Sequence, residues 1–421
     1  MARYVTKPES RLFPCKNSHT LHNVKSNHPK NTFIDLVISF AALLFSLIAC
    51  DPAGPSKGEN DITVEEGLEF TSPQKVGMDS VQFARLTAAI NTGEYPNVHS
   101  VLIARNGKLV YEKYFAGRDE ILGHSMGMIS HHKDTLHDIR SVTKSIVSAC
   151  IGIALSYGEI RSVDENIWAY FPEYLKFKQG EKAALTIKHL LTMTSGLEWN
   201  ENIPYTDPAN SEIQMDQSTD PIQFVLSRKL IHRPGGVWNY NGGTTQVLAA
   251  IIKKTTGMEV DKYADKYLFV PLGITKYSWI KFRDSGTQKE VPLAAAGLRL
   301  RSRDLLKFGL LYMNKGVWNG KRILPENWVL DSHRSHITRE NPIAGKGGYG
   351  YQFWTWNEPV RNKTIALAVA VGNGDQRIFF DHENNLLVVT TAGNYNNWTI
   401  RNNAAALLKN FIYSSLDKAK R

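Results

Sequence analysis

Cysteine is nearly missing, with three residues in a chain of 421. Cys15 lies in a basic leader, Cys50 ends an apolar stretch and Cys150 sits inside another, which excludes a disulfide framework. Cys150 is expected to pack as a small hydrophobe. No metal pattern is present either. His124, His131, His132 and His137 crowd one segment, but their spacing matches no zinc motif, and no acidic or cysteine ligand set accompanies them. Neither a metal nor a cofactor is therefore expected. The Gly-x-Ser-x-Gly nucleophile elbow is absent, which removes the central element of an α/β-hydrolase. A basic patch is lacking as well. The net charge is +10, but residues 1–50 supply +4 of it (six Lys/Arg against Glu9 and Asp35) and the rest is scattered. Nucleic acid is therefore not an expected partner. No internal repeat is found.

Long apolar runs are also wanting. The uncharged stretch from Leu36 to Ala49 falls short of the roughly 20 residues that a membrane helix needs, and suits the core of a signal peptide. It ends Leu47–Ile48–Ala49–Cys50, which resembles the lipobox of bacterial lipoproteins. The resemblance implies cleavage before Cys50, acylation of its thiol and a membrane-anchored place in the bacterial cell envelope. Residues 51–66, rich in Pro, Gly and charge, then read as a flexible tether to a folded domain over 67–421.

Within that domain Asp79 and Ser80 start a helix that stops near Gly93. Residues 99–105 and 108–115 form a hairpin about Asn106–Gly107. Residues 116–138 read as irregular, and 160–230 as short helices and turns. Longer helices follow from Thr244 to Thr256 and from Ser302 to a stop at Gly316. Strands are expected over 349–356, 365–371, 376–380 and 385–392, then an amphipathic helix from about 403 to 418. Gly345–Gly350 fits Gly-x-Gly-x-x-Gly but opens no helix, so it reads as a turn. Lys254–Gly257 is a helix end. The order implies an α+β fold: a central antiparallel sheet flanked by the first and last helices, with a helical subdomain inserted at roughly 155–290.

The chemistry points to Ser141–Val142–Thr143–Lys144, at the mouth of an apolar run that continues to Leu155. A buried helix there puts the Lys144 ammonium one turn after the Ser141 hydroxyl on the same face. The helix N-terminus adds backbone N–H groups and partial positive charge. An activated serine needs that setting together with a base for its proton. About a hundred residues on, Tyr240 follows the turn Arg233–Gly236 and precedes an apolar helix. A phenol of ordinary pKa near ~10 serves as a base only when a cation such as Lys144 stabilises the phenolate.

Ordered stretches carry a wider likeness: RSVTKS (140–145), LLTMTSGLEW (190–199), RPGGVWNYNGG (233–243), residues 295–329 and GNGDQRI (372–378). The chain resembles the serine β-lactamase and penicillin-binding-protein superfamily, in its esterase and 6-aminohexanoate-dimer-hydrolase branch. The resemblance implies the α+β fold already outlined, with Ser141 acylated, Lys144 its paired lysine and Tyr240 the tyrosine of the Tyr-x-Asn motif. It also implies an oxyanion hole from the N–H of Ser141 and one after Gly374, assigned to Gln376. Two departures bear on substrate. Gly242 replaces the motif's asparagine, and Asn373–Gly374–Asp375 stands where a cation normally recognises a carboxylate. Both disfavour β-lactam and D-alanyl peptide substrates and favour a small ester or amide. Glu198, Trp199, Tyr205, Gly242, Asn373 and Gly374 are the expected substrate contacts, with His232 beside them. The non-enzymatic alternative is a lipid-anchored binding protein that keeps the fold.

Overall fold

The computed structural model describes residues 62–283, 290–341, 345–397, 399–400 and 402–416. The leader, Cys50 and the tether up to residue 61 lie outside the described residues. A ten-stranded sheet runs in the order 63–65, 68–70, 108–114, 98–105, 386–392, 376–381, 363–372, 354–360, 345–349, 337–341. Every pairing is antiparallel except that of 68–70 with 108–114. Strand Thr63–Glu65 extends the folded domain into the span assigned to the tether. Among the described residues no helix is long and apolar enough to cross a membrane.

Residues 367–370, 378–380 and 386–392 of the three strands 363–372, 376–381 and 386–392 are buried on both faces, so their side chains divide by parity. Ala368, Ala370, Ile378, Phe380, Leu387 and Val389 join one core with helix Val142–Ser156 and the helical insert. Leu367, Val369, Phe379 and Val388 join a second core with helix Ser80–Asn91 and the C-terminal helical segment. The three-layer arrangement follows directly from that alternation.

Helix Val142–Ser156 lies deepest, with every residue from Val142 to Ala154 buried. Its polar exceptions are satisfied: Ser145 and Ser148 hydroxyls donate to the carbonyls of Gln352 (2.8 Å) and Tyr351 (2.7 Å). Gly152 admits the Trp328 indole, which a side chain there would displace. Helix Gly242–Thr256 packs across it, its first turn capped by Asn241, whose Oδ1 accepts from Thr244 N at 3.1 Å.

Two segments differ from expectation. Residues 116–130 are not irregular but a hairpin, Ala116–Ile121 with His124–Ser130, turned by Leu122 and Gly123 at positive φ. Without Asn-Gly or an apolar alternation the sequence hid it. Gly345–Tyr349 is a strand paired on both sides rather than a turn, its glycines giving room to Ser335, Thr355 and Arg339.

Candidate active site

Ser141 stands at the N-cap of helix Val142–Ser156, behind Arg140 in the left-handed region at φ 49°. Such a backbone is uncommon for a non-glycine residue and is found where surroundings over-determine it. Here the Arg140 guanidinium pairs with Glu120 and lies 4.6 Å over the Tyr395 ring. Lys144, one turn on and only 1% exposed, lies within hydrogen-bond distance of Ser141 Oγ (2.9 Å), Ala295 O (3.0 Å) and Glu212 Oε2 (3.3 Å). Tyr240 closes the group from the loop before helix Gly242–Thr256, its ring centroid 5.0 Å from Lys144 Nζ and its hydroxyl hydrogen-bonded to Ser141. Serine, lysine and tyrosine thus meet as their spacing implied.

What the sequence did not announce is a carboxylate pair beneath the lysine. Glu201 Oε2 accepts from Trp199 Nε1 and from Gly242 N, both at 2.7 Å, and Oε1 accepts from the Tyr205 hydroxyl at 2.8 Å. Its Oε1 also lies 3.9 Å from Lys144 Nζ. Glu212 reaches the same ammonium through the space above Gly242, where an added Cβ would overlap Glu212 Oε2. The missing asparagine is therefore not an empty position: a carboxylate from helix Ser211–Asp216 occupies its place. That exchange leaves a negative charge, in place of a neutral amide, facing Lys144.

The charges set each other. Burial acts to depress the Lys144 ammonium, but Glu212, Tyr240 and Glu201 outweigh it and hold it above its ordinary range. Burial pushes the Tyr240 phenol up to about 12, against the opposing pull of Lys144 and of the Ser141 hydroxyl. Burial and the neighbouring Glu212, to which it is hydrogen-bonded, push Glu201 up, and the same two causes push Asp216 up.

The cleft over Ser141 is lined by Glu201, Tyr205, Tyr240, Trp354, Arg377 and the turn 371–375, together with Asn394, Asn397, Ile400 and Asn402. Tyr205, Asn373 and Gly374 fall where substrate contacts were expected. Trp199 does not: it is buried and braces Glu201. Gly242 lies beneath Glu212 rather than in the cleft wall, while Glu198 and His232 are exposed and line no part of it. Gln376 is fully buried, its side-chain amide engaged with the Ala392 backbone on both atoms, and is likewise absent from the lining, whereas Asp375 is present in it. The wall also holds a cation that the motif comparison overlooked. Arg377 lines the cleft two residues past Asp375, and its Nη2 lies 3.1 Å from Asp375 Oδ1. The paired carboxylate partly neutralises it.

Comparison with known proteins bears on the family and the fold. The family model described as Beta-lactamase matches residues 98–409. The 6-aminohexanoate-dimer hydrolase of Paenarthrobacter ureafaciens is 25% identical over 274 residues, covering 61% of this chain and 64% of that protein. Esterase EstB of Burkholderia gladioli is 27% identical over 184 residues, 41% of this chain and 44% of the esterase. The match therefore spans under two thirds of either relative. Among solved structures, a putative 6-aminohexanoate-dimer hydrolase from Bacillus anthracis superposes with a TM-score of 0.61 at 22% identity, covering 79% of this chain and 83% of that one. A penicillin-binding protein homolog from Caulobacter crescentus gives 0.62 at 16% identity, covering 85% and 100%. At such identities these two superpositions speak for the fold alone.

Proposed function

The chain belongs to the beta-lactamase family, and we propose that it is a serine hydrolase that cleaves a small carboxylic ester or amide through an acyl-enzyme on Ser141. One observation carries the reading: the Ser141 hydroxyl is held by both Lys144 and Tyr240 at the floor of a cleft. In the proposed cycle Ser141 Oγ attacks the substrate carbonyl and its proton passes to the Tyr240 phenolate, which the Lys144 ammonium stabilises. The phenol then protonates the leaving alcohol or amine, and the phenolate so regenerated takes a proton from water for deacylation. Holding Tyr240 ionised at pH 8 against a value of about 12 costs about 5 kcal/mol, well inside what a positioned site offsets. The oxyanion is received by Ser141 N–H and by the backbone of the turn Asn373–Asp375, which faces the cleft where Gln376 does not.

The substrate class follows from the wall. Arg377 is tied to Asp375 and an acidic pair lies under Lys144, which disfavours a carboxylate-bearing β-lactam or D-alanyl peptide. Trp354, Val371 and Ile400 offer apolar surface to an acyl chain or ring. The same reading extends to the leader: cleavage before Cys50 and acylation of its thiol would tether the domain to a membrane, and a Cys50→Ala protein that still partitions with membranes would refute it. The hydrolase reading is tested with a panel of short-chain aryl esters. Wild type is expected to exceed Tyr240→Phe by about 10²–10⁴-fold. Equal rates would leave background reactivity and the binding-protein alternative.

A further inference from the structure

Behind Arg140, away from the cleft, four buried side chains converge: His99, Asp119, His131 and His137, each no more than 8% exposed. Their hydrogen-bond bookkeeping does not close with neutral imidazoles. The Asn97 amide is fixed in orientation, because its Oδ1 accepts from Arg118 N (2.8 Å) and its Nδ2 donates to Arg118 O (3.0 Å). An oxygen therefore faces His99 Nε2 at 3.2 Å, and that nitrogen must carry hydrogen. His137 Nδ1 lies 3.0 Å from the carbonyl of Asp138, so it carries hydrogen too. The two inner nitrogens, His99 Nδ1 and His137 Nε2, are then both bare, and they face each other at 2.8 Å.

Two lone pairs aimed at one another need a cation. Anionic and neutral donors wait beside them. Asp119 Oδ1 accepts from Glu120 N (2.8 Å) and from the Tyr395 hydroxyl (3.1 Å), but its Oδ2 has no hydrogen-bond partner. His131 Nε2, 3.9 Å from that oxygen, has none either. His99, Asp119 and His137 place one ligand atom each within 4.8 Å of one another, and His131 stacks on His99 at 3.9 Å. A tetrahedral zinc bound at about 2.0–2.2 Å sets its ligand atoms about 3.3 Å apart. Opening the 2.8 Å contact between the two imidazoles and closing the 3.8 Å gap between His137 Nε2 and Asp119 Oδ1, by about half an ångström each, brings those two edges to that spacing. The outer nitrogens, tied to oxygen acceptors, match the way metal-bound histidines are usually oriented. Gly117 and Gly393 wall the His99 ring so closely that a Cβ on either would collide with it.

We propose that His99, Asp119 and His137 bind one zinc ion, with the His131 ring stacked on His99 beside the site. Its place in the fold gives it a task. His137 lies four residues before Ser141, and Tyr395, bonded to Asp119, packs against both Arg140 and Gly374. One ion would brace the approach to the nucleophile and the turn that faces it.

The test is zinc content of the purified full chain, measured after treatment with a chelator and reloading with zinc or cobalt. One equivalent per chain is expected, with the visible bands of tetrahedral cobalt and a melting temperature that rises on loading. All three should be lost in His137→Gln. Should that variant not fold, Asp119→Asn, which keeps the shape and the Tyr395 contact, should still bind metal much more weakly than wild type. A folded wild-type chain that takes up no zinc and shows no cobalt bands would overturn the proposal and leave a proton shared between the two imidazoles.

Discussion

The carboxylate pair beneath Lys144 makes a prediction about non-additivity. Lys144 Nζ lies 3.3 Å from Glu212 Oε2 and 3.9 Å from Glu201 Oε1, with all three side chains buried. At an effective dielectric near 20, each contact as a full ion pair amounts to about 4–5 kcal/mol. Burial and the neighbouring carboxylate push Glu201 up, so the pair is expected to carry a single charge. Glu212→Gln alone lets Glu201 ionise in its place, and Glu201→Gln alone leaves Glu212 ionised. Each single change should cost about 1 kcal/mol, the value of a hydrogen bond. The double substitution strands a buried ammonium and should cost about 3–5 kcal/mol. The coupling is then about 2 kcal/mol. Urea unfolding of wild type, both single variants and the double variant at pH 7 measures it. Losses that simply add, or a single variant as damaging as the double, would refute the shared charge.

Three further outcomes follow. Because Tyr240 is pushed up to about 12 and acts as the phenolate, kcat/KM should rise close to tenfold per pH unit from pH 7 towards 10. A profile that levels off below pH 8 would contradict that role. Glu201, raised above its unfolded value, adds stability that is complete below the unfolded carboxylate range and is lost as pH rises through its folded value. Alkaline melting of wild type should therefore begin earlier than that of Glu201→Gln. Gly242→Ala drives a methyl into Glu212 Oε2 and towards Ala295, and should cost about 1–3 kcal/mol in stability while loosening Lys144. Thermal unfolding indistinguishable from wild type would show that Glu212 does not fill that space.

Much of this was legible in the chain itself. The Ser141 helix announced its burial by an unbroken apolar run, and the sheet announced its strands by β-branched and aromatic segments between turn residues. Local signals of that kind survive in sequence because neighbours in the chain produce them. The pair Glu201 and Glu212 left no such signal: it belongs to Lys144 only through folding, although the glycine at 242 did say that a partner had been removed. Arg377 was passed over because only Asn373–Asp375 were compared with the family's motif. The histidine cluster was likewise beyond the reach of spacing: His99 and Asp119 come from two strands that only the fold brings beside His137.

The proposed chemistry turns on a covalent bond to one oxygen, Ser141 Oγ. Intact-mass analysis of the purified chain after exposure to a fluorophosphonate, with peptide mapping of the adduct, addresses it directly. One stoichiometric adduct on Ser141 is expected, slowed in Tyr240→Phe and abolished in Ser141→Ala. A folded wild-type chain that stays unlabelled, or a label that persists in Ser141→Ala, would contradict it.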